Sequence, residues 1–468
     1  MSADAGSLAA DVAVVGGGLA GLTLARDVHR RGRSVVLLEA GPRVGGVIRS
    51  ERVDDILIEG GPDAMLALKP AALALCRELG LGDEIVPTET PRTAFVLADG
   101  RLHALPTETR LGLPLSLDAV ERYTMLSPGG RARLARDFSD PASPGSGDDE
   151  SVGAFTTRRF GEEFTRRVAQ PLLGGIHAGD VDRLSLRALF PPLAEADAAG
   201  GSVLATLAAR AGRPDPDGAF RGLRGGMGQL PAAIARALPS AGIRTREPVA
   251  WLTRGAPWRV VGASGSEIAA RAVVLAVPAQ VAARLVAPFD GVLAATCAEL
   301  RALSSATITM AYDRAGVTQP WSGMGIIVPR GEATRLLAVS WVTSKWAARA
   351  PADRVVLRAF AGGAFDLEAL EATDDALVAR AHADLAPLLG LSAPPLLSRV
   401  YRWIDASPQY DVGHLLRVAR IDSRLADTPG LFLTGSAYRG VGMPDVIADA
   451  RATADRVCGW LDRGERPN

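Results

Sequence analysis

The 468-residue chain is poor in the residues that mark several common classes of protein. Its three cysteines, Cys76, Cys297 and Cys458, are far apart and form no Cys-x-x-Cys pair, so we expect buried free thiols in a reducing compartment. Lysine occurs only at Lys69 and Lys345, and 52 basic residues balance 52 acidic residues. A net charge of zero excludes a strongly basic nucleic-acid-binding protein, and the five histidines show no spacing that predicts a metal site.

Long apolar runs are missing as well. No stretch of the sequence reaches the roughly 20 apolar residues that span a bilayer. Residues 1–10 lack both the basic and the apolar region of a secretory signal, so we expect a cytoplasmic protein and leave peripheral membrane contact open. The length, together with 48% hydrophobic residues, predicts two or three domains with substantial cores.

The sequence does contain a strand, a turn and a helix close to its N-terminus. DVAVV (11–15) predicts a buried strand, LAGLTLARDVHRRG (19–32) predicts an amphipathic helix, and SVVLLEA (34–40) predicts a second buried strand. Strand-helix-strand order favours a parallel sheet.

A glycine-rich turn separates the first strand from the helix. Gly16, Gly18 and Gly21 fit the pattern G-x-G-x-x-G, in which the second glycine lets the backbone approach a pyrophosphate at the helix N-terminus. Glu39 ends the second strand, where a carboxylate accepts hydrogen bonds from a ribose. The residues predicted to contact a dinucleotide here are Gly16, Gly18, Leu19, Ala20, Gly21, Glu39 and Ala40.

Three further segments favour FAD over NAD. EAGPRVGGVIRS (39–50) resembles the second glycine element of flavoproteins of the glutathione-reductase-like superfamily, in particular its amine oxidase branch. IEGGPDAM (58–65) resembles the segment under the flavin ring, and LFLTGSAYRGVGMPDVIADA (431–450) resembles the C-terminal part of the FAD site. The resemblance implies non-covalent FAD in contact with Arg43, Gly45, Gly46, Val47, Gly60, Gly61, Pro62, Asp63, Val249, Trp403, Gly435, Val441, Gly442 and Met443.

Four segments resemble a narrower family, the FAD-dependent protoporphyrinogen and coproporphyrinogen oxidases. They are QPLLGGIHAGDVDRLSLRALFPPL (170–193), the stretch from GMGIIVP to AFAGG (323–363), YRWIDASPQYDVGHLLRV (401–418) and AYRGVGMPDVI (437–447). The likeness extends from about residue 8 to 460. It implies an oxygen-dependent oxidase of haem biosynthesis that removes six electrons from a porphyrinogen, with hydride transfer to flavin N5 and formation of H2O2.

The resemblance also implies a set of substrate contacts. It places Gly175 against the macrocycle and assigns Met324, Ile327 and Phe360 to the apolar walls around it. No acid–base residue is predicted, because the flavin accepts the hydride. His177 stands where the family often has an aromatic residue, and a structural role is the favoured interpretation.

The substrate preference depends on a missing arginine. Protoporphyrinogen enzymes often have an arginine where this chain has Ala94, and Arg92 lies two residues earlier on the same face of an extended segment. This departure resembles the coproporphyrinogen oxidases, so we expect coproporphyrinogen III, with protoporphyrinogen IX as the alternative. Arg92 and Arg49 are candidate partners for propionates, and transfer of product to a downstream haem-synthesis enzyme is left open.

The predicted fold class is α/β plus α+β, in three parts. They are a discontinuous, glutathione-reductase-like FAD domain with a parallel sheet (8–62, 221–286 and 399–468), a mixed-sheet substrate domain (63–92 and 287–398) and an inserted helical domain (93–220) that the resemblance allows to face a membrane. The region 93–220 is predicted to be mostly helical.

Three other functions remain as alternatives. One is a related carotenoid-type desaturase, which would need a long apolar tunnel that the sequence does not show. A flavin amine oxidase would have a lysine in the first substrate-domain strand, but LSSATITMAY (303–312) contains none. A non-catalytic porphyrin or flavin carrier would keep the FAD elements without turnover, and an activity assay separates it from an enzyme.

Overall fold

The computed structural model describes residues 8–145, 147–213, 215–319 and 321–464. The expectation of no secretory signal concerns residues 1–10, of which residues 1–7 lie outside the described residues, as do residues 465–468 at the end of the predicted FAD domain. No helix in the described ranges is long and apolar enough to cross a membrane.

The strands, in chain order, are β1 (Leu8–Val15), β2 (Val35–Leu38), β3 (Ser50–Val53), β4 (Ile56–Glu59), β5 (Met65–Leu66), β6 (Ile85–Pro87), β7 (Ala94–Ala98), β8 (Arg101–Ala104), β9 (Thr109–Arg110), β10 (Leu113–Pro114), β11 (Phe220–Leu223), β12 (Ile243–Arg244), β13 (Val249–Thr253), β14 (Trp258–Gly262), β15 (Glu267–Leu275), β16 (Ala302–Asp313), β17 (Gly325–Ile327), β18 (Ala338–Trp341), β19 (Arg354–Gly362), β20 (Leu397–Pro408) and β21 (Leu431–Leu433).

The α-helices are α1 (Leu19–His29), α2 (Ala71–Glu78), α3 (Leu117–Glu121), α4 (Pro128–Ser139), α5 (Val152–Phe160), α6 (Glu162–Phe164), α7 (Leu186–Leu189), α8 (Pro191–Ala198), α9 (Val203–Ala209), α10 (Gln229–Arg236), α11 (Ala279–Val286), α12 (Gly291–Ala298), α13 (Val342–Lys345), α14 (Asp374–Leu389), α15 (His414–Ala426) and α16 (Met443–Gly464). A π-helix covers Thr165–Gly174, and a 3₁₀ turn covers Gly175–His177.

The first sheet contains the predicted strand-helix-strand start of the chain. Its strand order is β12-β2-β1-β15-β14-β13, with β21 also paired to β15. The pairings β12–β2, β2–β1, β1–β15 and β15–β21 are parallel, whereas β14 pairs antiparallel with both β13 and β15. The strand β1 is buried on both faces, because Val12 and Val14 join one hydrophobic core and Ala13 and Val15 join another. Both faces must therefore be apolar, as the run DVAVV is.

The second sheet has the order β20-β16-β19-β18-β17-β7-β8. Its pairings are antiparallel except β17–β7, which is parallel, so the sheet is mixed. A row of facing residues crosses it: Ile327 opposite Ala338, Phe360 opposite Ala338 and Thr307, and Tyr401 opposite Thr307. Side chains opposite one another in antiparallel strands point to the same face, so this row defines one surface of the sheet.

The segment 93–220 differs from the expected helical insert at its start. The strands β7 and β8 form a hairpin that extends the second sheet, and the helices begin only with α3. The turn is Asp99-Gly100, and both residues have positive φ, at 53° and 72°. Asp-Gly between alternating apolar residues is a strong hairpin signal, and it is present in FVLADGRLHAL.

Residues 63–92 also pack differently from their assignment to the substrate domain. The strands β5 and β6 pair with β11 in a small separate sheet, and α2 buries Leu73 and Leu75 in the core that contains α1 and α16. The segment therefore contributes to the body of the first sheet.

Candidate active site

A cavity of about 480 Å³ lies where β1, β15 and β21 end. In parallel sheets, ligands bind in the crevice at the carboxyl ends of the strands. Its wall includes many residues predicted to contact FAD: Gly18, Leu19, Ala20, Gly45, Gly46, Val47, Pro62, Gly435, Val441, Gly442 and Met443. The sequence-predicted elements at the two ends of the chain therefore meet at one site.

Different structural constraints explain why each of the three positions in the first turn is a glycine. Gly16 has a φ of +105°, and a Cβ there would lie 2.4 Å from the carbonyl oxygen of Ala276. A Cβ on Gly21 would lie 1.9 Å from the carbonyl oxygen of Gly16. A Cβ on Gly18, in contrast, would meet no protein atom within 4 Å. Protein packing therefore explains Gly16 and Gly21, whereas Gly18 keeps open the surface that a pyrophosphate would approach.

The carboxylate of Glu39 braces this turn. Its Oε2 accepts a hydrogen bond from the backbone N–H of Gly17 and its Oε1 from that of Gly41, both at 2.7 Å. A carboxylate has about four lone-pair sites, so acceptor capacity remains for a ribose diol. The exposed residue Ala40 follows. The backbone N–H of Glu247, two residues before Val249, donates to the carbonyl of Glu39 at 2.9 Å.

The second glycine element packs directly on the first. The backbone N–H of Gly45 donates to the carbonyl of Gly17 at 2.7 Å. Arg43, predicted as a cofactor contact, donates through its guanidinium to the carbonyls of Val44, Gly46 and Ile48 at 3.2, 2.7 and 3.0 Å. These bonds make Arg43 a support for the turn.

The segment Gly60–Asp63 is held between the two sheets. A Cβ on Gly61 would lie 1.9 Å from the carbonyl oxygen of Val47, so only glycine fits. The carbonyl of Gly60 accepts hydrogen bonds from Trp403 Nε1 and Thr307 Oγ1, both at 2.8 Å. The predicted flavin-side residues Gly60, Gly61 and Trp403 are thus brought together, with Trp403 bonding to the segment.

Asp63 belongs to a buried charge cluster. Its Oδ2 accepts from Lys345 Nζ at 2.8 Å and from Trp346 Nε1 at 3.1 Å, and its Oδ1 lies 3.3 Å from Arg358 Nη2. Burial alone raises the pKa of Asp63, but Lys345 and Arg358 outweigh it and hold this pKa far below its usual range. Arg358 also donates to the carbonyl of Gly61 at 2.7 Å. The cluster is a structural support for the segment.

The C-terminal loop closes the other side of the cavity. Gly435 has a φ of +124°, and its N–H donates to Asp449 Oδ2 at 3.3 Å. Asp449 also accepts from Thr434 Oγ1 at 2.6 Å. Val441 and Gly442 then lead into α16 at Met443, so the positive end of a long helix is directed toward the cavity.

None of the predicted substrate residues is among the described residues that line this cavity, and they lie on two structures outside its lining. Gly175 begins the 3₁₀ turn whose next residues, Ile176 and His177, line the cavity. Ile327 and Phe360 belong to the row across the second sheet that ends at Thr307 and Tyr401, both of which contact Gly60.

Met324 and Arg92 lie just before β17 and β7, two strands that pair in the second sheet. Met324 directly precedes β17, and its backbone N–H donates to the carbonyl of Thr93 at 2.8 Å. The Arg92 guanidinium donates to the carbonyls of Thr88 and Pro216, at 2.9 and 2.8 Å. These bonds give Arg92 a structural task, joining the segment before β7 to the loop before β11.

Sequence reasoning left several parts of the wall unassigned. Val277, Pro278 and Gln280 line the cavity directly after β15, and the end of a parallel strand was the available signal for them. His177 lines the wall as well, and its Nδ1 is buried without a hydrogen-bond partner. Burial lowers the pKa of His177 to about 4, so its imidazole is neutral at pH 7.

Comparison with known proteins identifies the family. Residues 19–458 match the family model of flavin containing amine oxidoreductases. The chain is 33% identical to a coproporphyrinogen III oxidase of Propionibacterium freudenreichii, over 95% of this chain and 90% of that protein. It is 29% identical to the coproporphyrinogen III oxidase of Bacillus subtilis, over 96% and 98%. A chloroplastic protoporphyrinogen oxidase of Nicotiana tabacum is 28% identical, over 97% and 86%.

Solved structures agree with this result. A crystal structure of a protein from Exiguobacterium sp. 255-15, provisionally assigned as a protoporphyrinogen oxidase, superposes with a TM-score of 0.86 at 30% identity, covering 98% of this chain and 99% of that one. A putrescine oxidase shares the fold at 17% identity and a TM-score of 0.72, covering 97% and 100%. These matches confirm the predicted family and the predicted FAD cofactor, which the open surface at Gly18 fits. The chain belongs to the flavin-containing amine oxidoreductase family, in its porphyrinogen oxidase branch.

Proposed function

We propose that this chain is an FAD-dependent oxidase that converts coproporphyrinogen III to coproporphyrin III and passes the electrons to O2, with H2O2 as the second product. The observation that carries the proposal is the meeting of the FAD elements at one cavity with Ile176 and His177, the two residues that follow Gly175. The relatives named coproporphyrinogen III oxidase support this substrate.

We also propose the division into domains that the family resemblance implies. The first sheet with its helices forms a glutathione-reductase-like FAD domain, the mixed second sheet forms the substrate domain, and the helices from α3 to α9 form the insert. The proposed FAD contacts are the glycines, Glu39 and the C-terminal loop. Gly175, Met324, Ile327 and Phe360 are the proposed substrate walls.

The chain's own residues supply position and exclusion of water in the proposed reaction. Bound FAD supplies the hydride acceptor. Trp403 and Thr307 donate to the carbonyl of Gly60, and Arg358 donates to that of Gly61, so these three hydrogen bonds would hold the segment in place next to a bound flavin. Phe360 and Ile327 present apolar surface, which holds a macrocycle without competing for its pyrrole protons.

Protoporphyrinogen IX is the second candidate substrate, because one relative of similar coverage is a protoporphyrinogen oxidase. The two differ in charge, since coproporphyrinogen III carries four propionates and protoporphyrinogen IX two. Cytoplasmic placement, peripheral membrane contact and transfer of product to a downstream enzyme stay predictions of the sequence.

The test is aerobic turnover of anaerobically prepared coproporphyrinogen III and protoporphyrinogen IX by the holoenzyme. Porphyrin fluorescence and H2O2 are followed together, with a no-enzyme control for autoxidation and a diamine as a third substrate. We expect kcat/KM for coproporphyrinogen III to exceed that for protoporphyrinogen IX at least tenfold. A reversed ratio would show that protoporphyrinogen IX is the substrate. Oxidation of the diamine alone would overturn the proposal of a porphyrinogen oxidase.

A further inference from the structure

A short segment, Gln409–His414, joins the proposed substrate wall to the loop that closes the flavin site. It follows β20 and ends at the first residue of α15. Its sequence, QYDVGH, is part of the third motif that resembles the porphyrinogen oxidases. The resemblance assigns this segment no task, but its hydrogen bonds indicate one.

Two aromatic side chains of the segment hold the C-terminal loop. Tyr410 Oη donates to the carbonyl of Ser436 at 2.8 Å and accepts from the backbone N–H of Gly440 at 2.7 Å. His414 Nε2 lies 2.8 Å from the carbonyl oxygen of Tyr438, to which it donates. The rings of Tyr410 and His414 stack with their centroids 3.7 Å apart and an interplanar angle of 12°. Three bonds thus fix the loop at alternate residues.

The loop needs such support because its conformation is an unusual one. Gly435 and Gly440 have φ values of +124° and +138°, which favour glycine. A Cβ on Gly440 would lie 2.3 Å from the Cβ of Asp445 in α16. Between these glycines and α16 lie Val441 and Gly442, which line the cavity. Without Tyr410, the N–H of Gly440 would lose its partner at this bend.

The segment Gln409–His414 is also hydrogen-bonded to residues of the proposed helical insert. Gln409 Nε2 donates to the carbonyl of His177 at 2.9 Å, and the backbone N–H of Ser185 donates to the carbonyl of Tyr410 at 2.7 Å. The N–H of Gly413 donates to Asp149 Oδ2 at 2.8 Å. The cavity wall at His177 and the loop at Gly440 are therefore attached to the same six residues.

We propose that Tyr410 and His414 are positioning residues, which set the place of the loop Gly435–Gly442 against the flavin and tie it to the wall at His177. Neither side chain takes part in electron transfer. Burial raises the pKa of Tyr410 and lowers that of His414, despite the hydrogen bond of His414 to Tyr438. Both side chains stay neutral at pH 7, with the hydroxyl able to donate and the imidazole carrying its proton on Nε2. The inference concerns the FAD site and depends on the proposed function only for the substrate measurements.

The test is Tyr410→Phe, which keeps the stacked ring but removes both hydrogen bonds, compared with Tyr312→Phe as a matched control. Tyr312 is also buried, and its hydroxyl is hydrogen-bonded to His382, but it belongs to the hydrophobic core of the second sheet. We expect Tyr410→Phe to bind FAD about tenfold more weakly and to shift the visible absorption bands of the bound flavin. The control should retain both properties. FAD affinity is measured by dilution of the holoenzyme and flavin fluorescence.

A second pair of variants guards against misfolding. His414→Gln keeps an N–H donor for the carbonyl of Tyr438 and should recover most of the FAD affinity that His414→Leu loses. With FAD saturating, Tyr410→Phe should lower kcat while KM for coproporphyrinogen stays within twofold. Equal FAD affinity and identical flavin spectra in the Tyr410 and Tyr312 variants would overturn the inference. A wild-type holoenzyme without porphyrinogen turnover would overturn the proposed function alone, because FAD affinity still tests Tyr410.

Discussion

At the scale of single residues, burial of a histidine makes the free energy of unfolding depend on pH. His177 has its pKa lowered to about 4 by burial, and that of His414 is also lowered by burial. Between about pH 6.5 and pH 4 the unfolded chain binds a proton at His177 that the folded chain does not, so stability falls as the pH falls through this window. Below about pH 4 both states are protonated and the loss is complete.

The predicted loss from His177 is at most about 3 kcal/mol. Denaturant unfolding of the holoenzyme at pH 7 and pH 5 should therefore show a drop that is smaller in His177→Phe, which keeps the edge contact with Phe190. His103→Phe is the control, because His103 is a strand residue in contact with Thr124 on the surface. An equal drop in wild type and His177→Phe would contradict the assignment of a neutral, buried imidazole.

The two lysines of the chain offer a contrast between a buried and an exposed ion pair. Lys345 and its partner Asp63 are each only about one-tenth exposed, whereas Lys69 is half exposed and pairs with Asp445. We expect Lys345→Met to destabilise the protein by about 2–4 kcal/mol, because Asp63 loses a partner and keeps Arg358. Lys69→Met should cost less than about 1 kcal/mol. Equal costs in urea unfolding would show that Asp63 does not depend on Lys345.

At the scale of elements, the first strand-turn-helix unit contains glycines with two different purposes. Protein packing requires Gly16 and Gly21, whereas Gly18 leaves space that a ligand would fill. Gly21→Ala would place a Cβ 1.9 Å from the carbonyl oxygen of Gly16, so α1 could not pack on β1 and we expect little folded protein. Gly18 has φ −70° and ψ −178°, which alanine adopts freely, and its Cβ would meet no protein atom. Gly18→Ala should therefore fold normally but bind FAD at least tenfold more weakly. Thermal unfolding without added FAD and an FAD titration measure the two effects separately.

The same unit shows what the sequence can predict. DVAVV, the glycines and SVVLLEA carry local signals, namely apolar runs and turn residues, and the structure has β1, α1 and β2 at those places. The hairpin at Asp99-Gly100 also carries a local signal, but the prediction of a mostly helical region over residues 93–220 does not include it. The site contacts are different, because Lys345 and Asp63 are 282 residues apart and no local pattern joins them. Ion pairs between residues so far apart in the sequence become visible only in the tertiary fold.

At the scale of the whole molecule, the cavity draws its wall from separate bodies of the fold. Gly18 and Gly435 come from the first sheet, Ser407 from the end of the second sheet, and Ile176 from the segment after the π-helix. A ligand that fills this cavity contacts all three bodies. Its binding energy should therefore stabilise the molecule as one unit rather than a single domain.

This arrangement predicts a single unfolding transition that depends on FAD concentration. At about 1,000 times the dissociation constant, FAD stabilises the folded state by about 4 kcal/mol, which for a chain of this length raises Tm by about 4 °C. Riboflavin, which lacks the pyrophosphate and adenosine that the contacts at Gly18 and Glu39 would hold, should raise Tm much less at the same concentration. Calorimetry with each ligand measures this. Two transitions, of which only one responds to FAD, would show that the cavity does not join the three bodies, and an equal shift with riboflavin would show that the first turn does not hold the pyrophosphate.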